Sequence, residues 1–283
     1  MIHVNELDFS YSKRRKFIEK MSFHVGNGEI FGFLGPSGAG KSTVQKILTG
    51  ILKNYEGSAK VLGTEIKHGK RVFYQRIGVD FEFPNLYGKF TALENLKFFS
   101  SLYNRPCYDP MELLERVGLK NDADKKVSSF SKGMKMRLSF IRAIQHKPDL
   151  IFLDEPTSGL DPSNARTIKD IILEQKREGK SILLTTHNMH DAEEICDRVA
   201  FIVDGSIKAI DTPNNLRLQK GGSTVSYTFT ENGTHITTKA PLEGLNENAD
   251  FMGRLAKKQV LSIHSSEQTL EDIFIEITGR CLA

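Results

Sequence analysis

Leu150-Ile151-Phe152-Leu153-Asp154-Glu155-Pro156-Thr157-Ser158-Gly159-Leu160-Asp161 runs four apolar residues straight into two adjacent carboxylates, a proline, and a turn ending on a third acid. A short, continuous apolar run of this kind reads as a strand buried on both faces, as in a parallel α/β sheet. The carboxyl ends of such strands are where that architecture gathers its chemistry. Two carboxylates held there suit different tasks. Asp154 can hold Mg²⁺ through water, and Glu155 can take a proton from an attacking water. Standing alone, the segment would read as a strand end with solvated acids.

A second segment gives those acids a partner. Gly35-Pro36-Ser37-Gly38-Ala39-Gly40-Lys41-Ser42-Thr43 fits G-x-x-x-x-G-K-[ST], following the apolar Ile30–Leu34 and preceding a helical pattern over 41–52. Glycines let the backbone curl so that successive N–H groups point inward around phosphate oxygens, and the helix N-terminus adds its dipole. Lys41 can reach the β- and γ-phosphates, and the Ser42 hydroxyl can ligate Mg²⁺.

Outward from these motifs the chain alternates. Strands are expected over 2–9 and 17–25, joined by the basic tip Lys13-Arg14-Arg15-Lys16, with short strands at 58–62 and 76–81. Residues 91–144 read as helical: 92–103, 110–117, and a third helix from near Ser131. Strands at 149–153, 181–185 and 198–203 alternate with helices at 163–178 and 189–196, the signal of a doubly wound parallel sheet. Composition shifts near 213, and Leu218-Gln219-Lys220-Gly221-Gly222-Ser223 reads as a linker. Beyond it come a strand at 224–230, an Asn232-Gly233 turn, a returning strand at 235–239, a helix at 245–257, a strand at 259–263 and a helix at 267–279.

Composition narrows the function. With 39 basic and 35 acidic residues among 283, the net charge of +4 is too balanced to argue for nucleic acid. Cys107, Cys196 and Cys281 are far apart and lack metal-ligand spacing, so they read as reduced thiols. No apolar run approaches the roughly 20 residues that cross a bilayer, so a membrane role is expected to use a different chain.

Taken in order, these motifs resemble the ATP-binding cassette (ABC) ATPases over about residues 2 to 211. Tyr11 stands where that family has an aromatic that stacks on adenine. Residues 35–43 match its P-loop, and Leu150 to Glu155 its Walker B strand, with Glu155 as the catalytic base. Ser158-Gly159-Leu160-Asp161 matches the D-loop, and His187 the switch histidine that contacts the γ-phosphate. The signature, LSGGQ in most members, is here Phe130-Ser131-Lys132-Gly133-Met134; Ser131 and Gly133 keep the positions expected on the opposite subunit's γ-phosphate. No glutamine occurs between Gln75 and Gln145, and Glu82 stands in register with the family's Q-loop glutamine. Glutamate can still accept hydrogen bonds and approach Mg²⁺, but it cannot donate as an amide does.

The resemblance implies an α/β fold: a P-loop NTPase (RecA-like) core, an antiparallel β subdomain and a helical subdomain at about 88–145. These make an ATPase domain over 1–212, followed by a small α+β C-terminal appendage over 213–283. It implies ATP and Mg²⁺ as ligands, with Lys41, Glu155 and His187 catalytic. Tyr11, residues 35–43, Ser131, Gly133 and Asp161 would hold nucleotide, and Ser42, Asp154 and Glu82 would attend the metal. The implied partners are an integral membrane permease subunit and a second ATPase subunit, most simply a copy of this chain, on the cytoplasmic face of the cell membrane. The tail Thr269-Leu270-Glu271-Asp272-Ile273-Phe274 looks like that of exporter ATPases. Phe83, Leu86, Tyr87 and Phe90 read either as helical-subdomain core or as a groove for the membrane subunit. The alternatives are a soluble ABC ATPase acting in ribosome, DNA or cofactor assembly, and a regulatory ATP-binding module.

Overall fold

The computed structural model describes residues 1–12, 16–69, 71–220, 224–231, 233–266 and 269–280. Lys13, Arg14 and Arg15 of the basic tip, residues 221–223 of the expected linker, Asn232 and Cys281 lie outside the described residues. The chain divides into two compact units, one over Met1–Ile210 and one over Asp211–Cys281.

The N-terminal strands are β1 (Ile2–Phe9), β2 (Ile18–Val25), β3 (Ile30–Leu34), β4 (Tyr55–Val61), β5 (Thr64–Glu65), β6 (Ile77–Asp80), β7 (Leu150–Asp154), β8 (Ser181–Thr186), β9 (Arg198–Val203) and β10 (Ser206–Asp211). They form a four-stranded antiparallel sheet, β2-β1-β4-β5, and a six-stranded sheet, β10-β9-β3-β8-β7-β6. Within the second, β9, β3, β8, β7 and β6 run parallel.

Alternation in β1 holds only in two halves. Ile2 and Val4 are buried, and so are Leu7 and Phe9, which a strict period of two forbids. A bulge at Glu6, where φ is +48, inserts the extra residue and returns the apolar side chains to the same face. Gly57 of β4 is what admits it: a Cβ there would lie 2.1 Å from the Glu6 carbonyl oxygen.

The parallel strands β3, β7 and β8 are buried along their whole length, which is why they read as unbroken apolar runs. Phe31, Phe33, Phe152, Leu183 and Ile202 share one core with Val44, Ile47 and Leu48 of the helix Lys41–Leu48. Each such side chain contributes about 1.5–3 kcal/mol on burial. Register aligns the strand ends: Leu34 lies beside Thr186, Asp154 beside Thr185, and Leu153 beside Asp80. The loops after β3, β6, β7 and β8 therefore leave from one edge.

Between β6 and β7 the chain is mainly helical. Ala92–Ser100 starts with a Thr91–Glu94 capping box, and Pro110–Arg116 starts with Asp109 as cap and Pro110 at the first position. Lys132–Ile144 is capped by the Ser131 side chain, which accepts from the Met134 N–H at 3.2 Å.

In the second unit, β11 (Thr224–Glu231), β12 (Thr234–Pro241) and β13 (Val260–Ser266) form an antiparallel sheet in the order β12-β11-β13. Tyr227 and Phe229 pack with Ala240 and with Phe251 of the helix Ala249–Ala256. Two expectations need correction. Leu218 to Lys220 are not linker but the end of a helix, Pro213–Lys220, that packs on the helix Leu270–Thr278. The helix expected over 245–257 is split into a short 3-10 turn, Leu245–Glu247, and Ala249–Ala256, because the Asn248 side chain caps the second at Phe251 N.

Candidate active site

The loops at the carboxyl edge of the large sheet converge on a cavity of about 260 Å³. Residues 37–43 line it from below, with Phe17, Glu82, Glu155, Ser158 and His187 around them.

The P-loop is held so tightly that glycine is obligatory at two of its positions. At Gly35 a Cβ would lie 2.2 Å from the Ile202 carbonyl oxygen of β9. At Gly40 φ is +111, and a Cβ would lie 2.8 Å from Ile18 Cδ1. The turn between β9 and β10 braces the loop from outside, Gly205 N donating to Ala39 O at 2.9 Å. Lys41 folds back over the loop, its Nζ donating to Gly35 O at 2.5 Å and Pro36 O at 3.1 Å. Burial pulls the Lys41 ammonium below its usual pKa, while Glu155, Asp154 and Glu82 oppose that shift by charge.

The two Walker B acids sit in different surroundings. Asp154 is buried at the last position of β7; it accepts from Thr185 Oγ1 and, at 3.3 Å, from Ser42 Oγ. Glu155 is the next residue and has φ +52, a left-handed conformation that non-glycine residues adopt at a cost. That backbone turn aims the carboxylate into the cavity. Glu155 Oε1 lies 2.9 Å from His187 Nδ1, and Oε2 accepts from Thr186 Oγ1 at 3.2 Å. Thr157 donates to Asp191 at 2.7 Å, and Lys169 Nζ donates to the other Asp191 oxygen at 3.0 Å, tying the loop after Glu155 to the helix after His187.

This arrangement fits a nucleoside triphosphate with a divalent cation. A backbone cradle, a lysine over it, and a serine hydroxyl and aspartate converging within 3.3 Å form the donor set such a substrate needs. Tyr11 stands at its side, exposed, with its hydroxyl 2.9 Å from Thr43 Oγ1 and its ring edge-on to Phe9 and Phe17.

Of the expected residues, Tyr11, Gly35, Pro36 and Asp154 stand next to residues that line the cavity without lining it themselves, whereas Ser131, Gly133 and Asp161 belong to helix starts outside it. Ser131 and Gly133 lie at the start of the helix Lys132–Ile144, where a Cβ at Gly133 would be 3.5 Å from Leu160 Cδ2. Asp161 caps the helix Pro162–Arg177, accepting from Asn164 N at 3.1 Å. The stretch 83–90 is surface: Phe83 is 75% exposed, and Tyr87 and Phe90 are also exposed. Tyr87 borders an apolar cavity of about 660 Å³ with Ile51, Tyr74, Phe81 and Leu86. Sequence reasoning took Thr185 and Thr186 only as a strand end. Their hydroxyls, in a strand otherwise apolar from Ile182 to Leu184, were the available signal.

A family profile described as ABC transporter matches residues 18–158. The chain is 49% identical to the fluoroquinolones export ATP-binding protein of Mycobacterium tuberculosis (strain H37Rv), over 100% of this chain and 94% of that one. It is 34% identical to the Nod factor export ATP-binding protein I of Paraburkholderia xenovorans, over 99% of this chain and 97% of the other. Among solved structures, the ATP-binding subunit of an ABC transporter superposes with a TM-score of 0.71 at 29% identity, covering 77% of this chain and 92% of that one. Fold, site and kinship agree: the chain belongs to the ABC transporter family, as an ATP-binding subunit.

Proposed function

We propose that this chain powers an exporter, hydrolysing Mg²⁺-bound ATP to drive a separate membrane-spanning permease from the cytoplasmic face. The observation that carries this reading is the cavity in which the P-loop, Glu82, Glu155 and His187 meet, with Glu155 held by His187 and Thr186. Glu155 is the base: it takes the proton of the water that attacks the γ-phosphate in line. Lys41 leaves its carbonyl partners to bind the β- and γ-phosphate oxygens, and His187 turns its imidazole to the γ-phosphate. Ser42 and Asp154 would hold Mg²⁺, with Glu82 in the same cavity lining, and the bound ion would supply positive charge to offset that of the phosphoryl group in transfer. Tyr11 offers its exposed ring to the adenine.

Ser131, Gly133 and Asp161 act across a dimer. They border one another at a helix start and a helix cap outside the cavity, so their nucleotide contacts are made in a second ATPase subunit, a copy of this chain in the simplest assembly. The permease docks on the apolar cavity bordered by Tyr87, with Phe83 and Phe90 beside it. Export is favoured because two relatives matched over nearly their whole length are named as export proteins. Among the described residues no helix is long and apolar enough to cross a membrane, which agrees with a separate spanning subunit.

The test is fractionation. The chain is expressed alone and with a candidate multi-spanning permease. Recovery in the membrane fraction only with that protein, and its loss in Tyr87→Ser/Phe83→Ser, support the reading. Equal distribution in both cases sinks the transporter assignment.

A further inference from the structure

Asp80 ends β6 on the same edge as Asp154, yet it does not line the cavity. Its carboxylate is 4% exposed and accepts from Ser139 Oγ at 2.6 Å, in the middle of the helix that Ser131 caps. Arg142, one turn on, donates to the same Ser139 oxygen at 3.4 Å and to the carbonyl of Asn85 at 2.5 Å. Asn85 is three residues past Glu82, and the Arg142 guanidinium also lies 4.9 Å from the Phe99 ring centre. The helix and β6 touch backbone to backbone here: a Cβ at Gly78 would be 2.1 Å from the Ala143 carbonyl oxygen.

Burying a carboxylate and a guanidinium at an otherwise apolar seam is costly. Replacing Asp80, Ser139 and Arg142 together by apolar groups of similar volume is close to neutral for stability. Cohesion therefore does not explain the pair. What it supplies is direction: hydrogen bonds fix how the strand, the helix and the loop after the strand sit together, and apolar contact leaves that free to slide.

We propose that Asp80 is a positioning residue for ATP hydrolysis: through Ser139 and Arg142 it locks the loop carrying Glu82 and the helix capped by Ser131 into one body. The proposal rests on the reading of Glu82 and Ser131 as site residues. Because the two elements serve different parts of the site, loosening the joint misplaces both at once, while the P-loop, built on β3, is left intact.

The experiment compares the full chain with Asp80→Val/Ser139→Ala/Arg142→Met, which makes the seam apolar and also removes the guanidinium that Asp80 and Ser139 hold. Melting temperature, nucleotide affinity, kcat and KM are measured. The expected result is a melting temperature and nucleotide affinity close to the parent's, an unchanged KM, and a kcat lower by about 10- to 100-fold. Asp80→Asn, which keeps an acceptor for Ser139, recovers most of the rate, and Ser139→Ala alone lowers it. Parental kcat in the apolar triple variant overturns the proposal, as does a rate loss matched by an equal loss of nucleotide affinity. Glu155→Gln separates the two readings. If it stops turnover while the apolar triple variant turns over normally, the Asp80 proposal alone fails; if it turns over at the parental rate, the site reading fails and takes the proposal with it.

Discussion

Thr185→Val is the change that most directly probes how Asp154, the acid proposed to bind the metal, is held. The substitution keeps the shape of a fully buried side chain and removes only the hydroxyl that donates to Asp154. Two routes to its magnitude agree. A hydrogen bond to a charged group contributes about 1.5–3 kcal/mol. Removing a group that orients a metal ligand typically lowers metal affinity about 10- to 100-fold, which at about 1.4 kcal/mol per decade is ~1.4–2.8 kcal/mol. Ser42 remains as the other donor, at 3.3 Å, so Asp154 is loosened and not orphaned. The assay is nucleotide affinity in Mg²⁺ and in EDTA. The ratio of the two should fall about 10- to 100-fold in the variant, with the EDTA value unchanged. An equal loss in both conditions, or no change in the ratio, would refute the assignment of Asp154 to the metal and of Thr185 to its support.

The glycines of the phosphate loop should separate by mechanism. Gly38 has φ +80 with open space at its Cβ position, so Gly38→Ala should cost about 1–2 kcal/mol in urea unfolding. Gly35→Ala drives a Cβ to 2.2 Å from β9 backbone and should abolish nucleotide binding; retained binding would refute the packing argument. His146 predicts an acid-linked loss of stability. Its ring stacks on Tyr103 at 3.7 Å and bonds Ile77 O at 2.9 Å, and burial lowers its pKa from 6.5 to about 4. The folded state thus disfavours the proton that the unfolded chain takes up below pH 6.5. Its contribution is complete above pH 6.5, declines as pH falls to about 4, and is constant below. The full effect is about 3 kcal/mol at ~1.4 kcal/mol per unit. Denaturant titrations of the parent and His146→Gln between these pH values should diverge by about that amount, and parallel losses would show that His146 is not responsible.

Much of the large sheet was legible because its strands are buried on both faces and its motifs carry positional meaning. Gly35 to Thr43 and Leu150 to Glu155 announce a strand, a loop and the chemistry after each. The bulge at Glu6 was not legible, since it depends on Gly57 approaching from another strand. Nor was the helix Pro213–Lys220, whose polar, glycine-flanked end imitates a linker until a second helix packs on it. At the site, the residues proposed to touch phosphate could be read from spacing. The residues that hold them could not: Thr185, Thr186, Gly205 and Asp80 act through partners far away in sequence. The exposure of Phe83, Tyr87 and Phe90 also needed the structure, because an aromatic run reads the same in a core and on a surface.

The central claim is that Glu155 is the base of ATP hydrolysis, turned into the cavity by its left-handed backbone and held by His187 and Thr186. Glu155→Gln keeps the shape and removes the proton acceptor. The decisive measurement is single-turnover hydrolysis by that variant at saturating MgATP, alongside its nucleotide affinity. The account predicts parental affinity, hydrolysis slowed by about 10²- to 10⁴-fold, and ATP retained intact on the protein. Hydrolysis at the parental rate would contradict it.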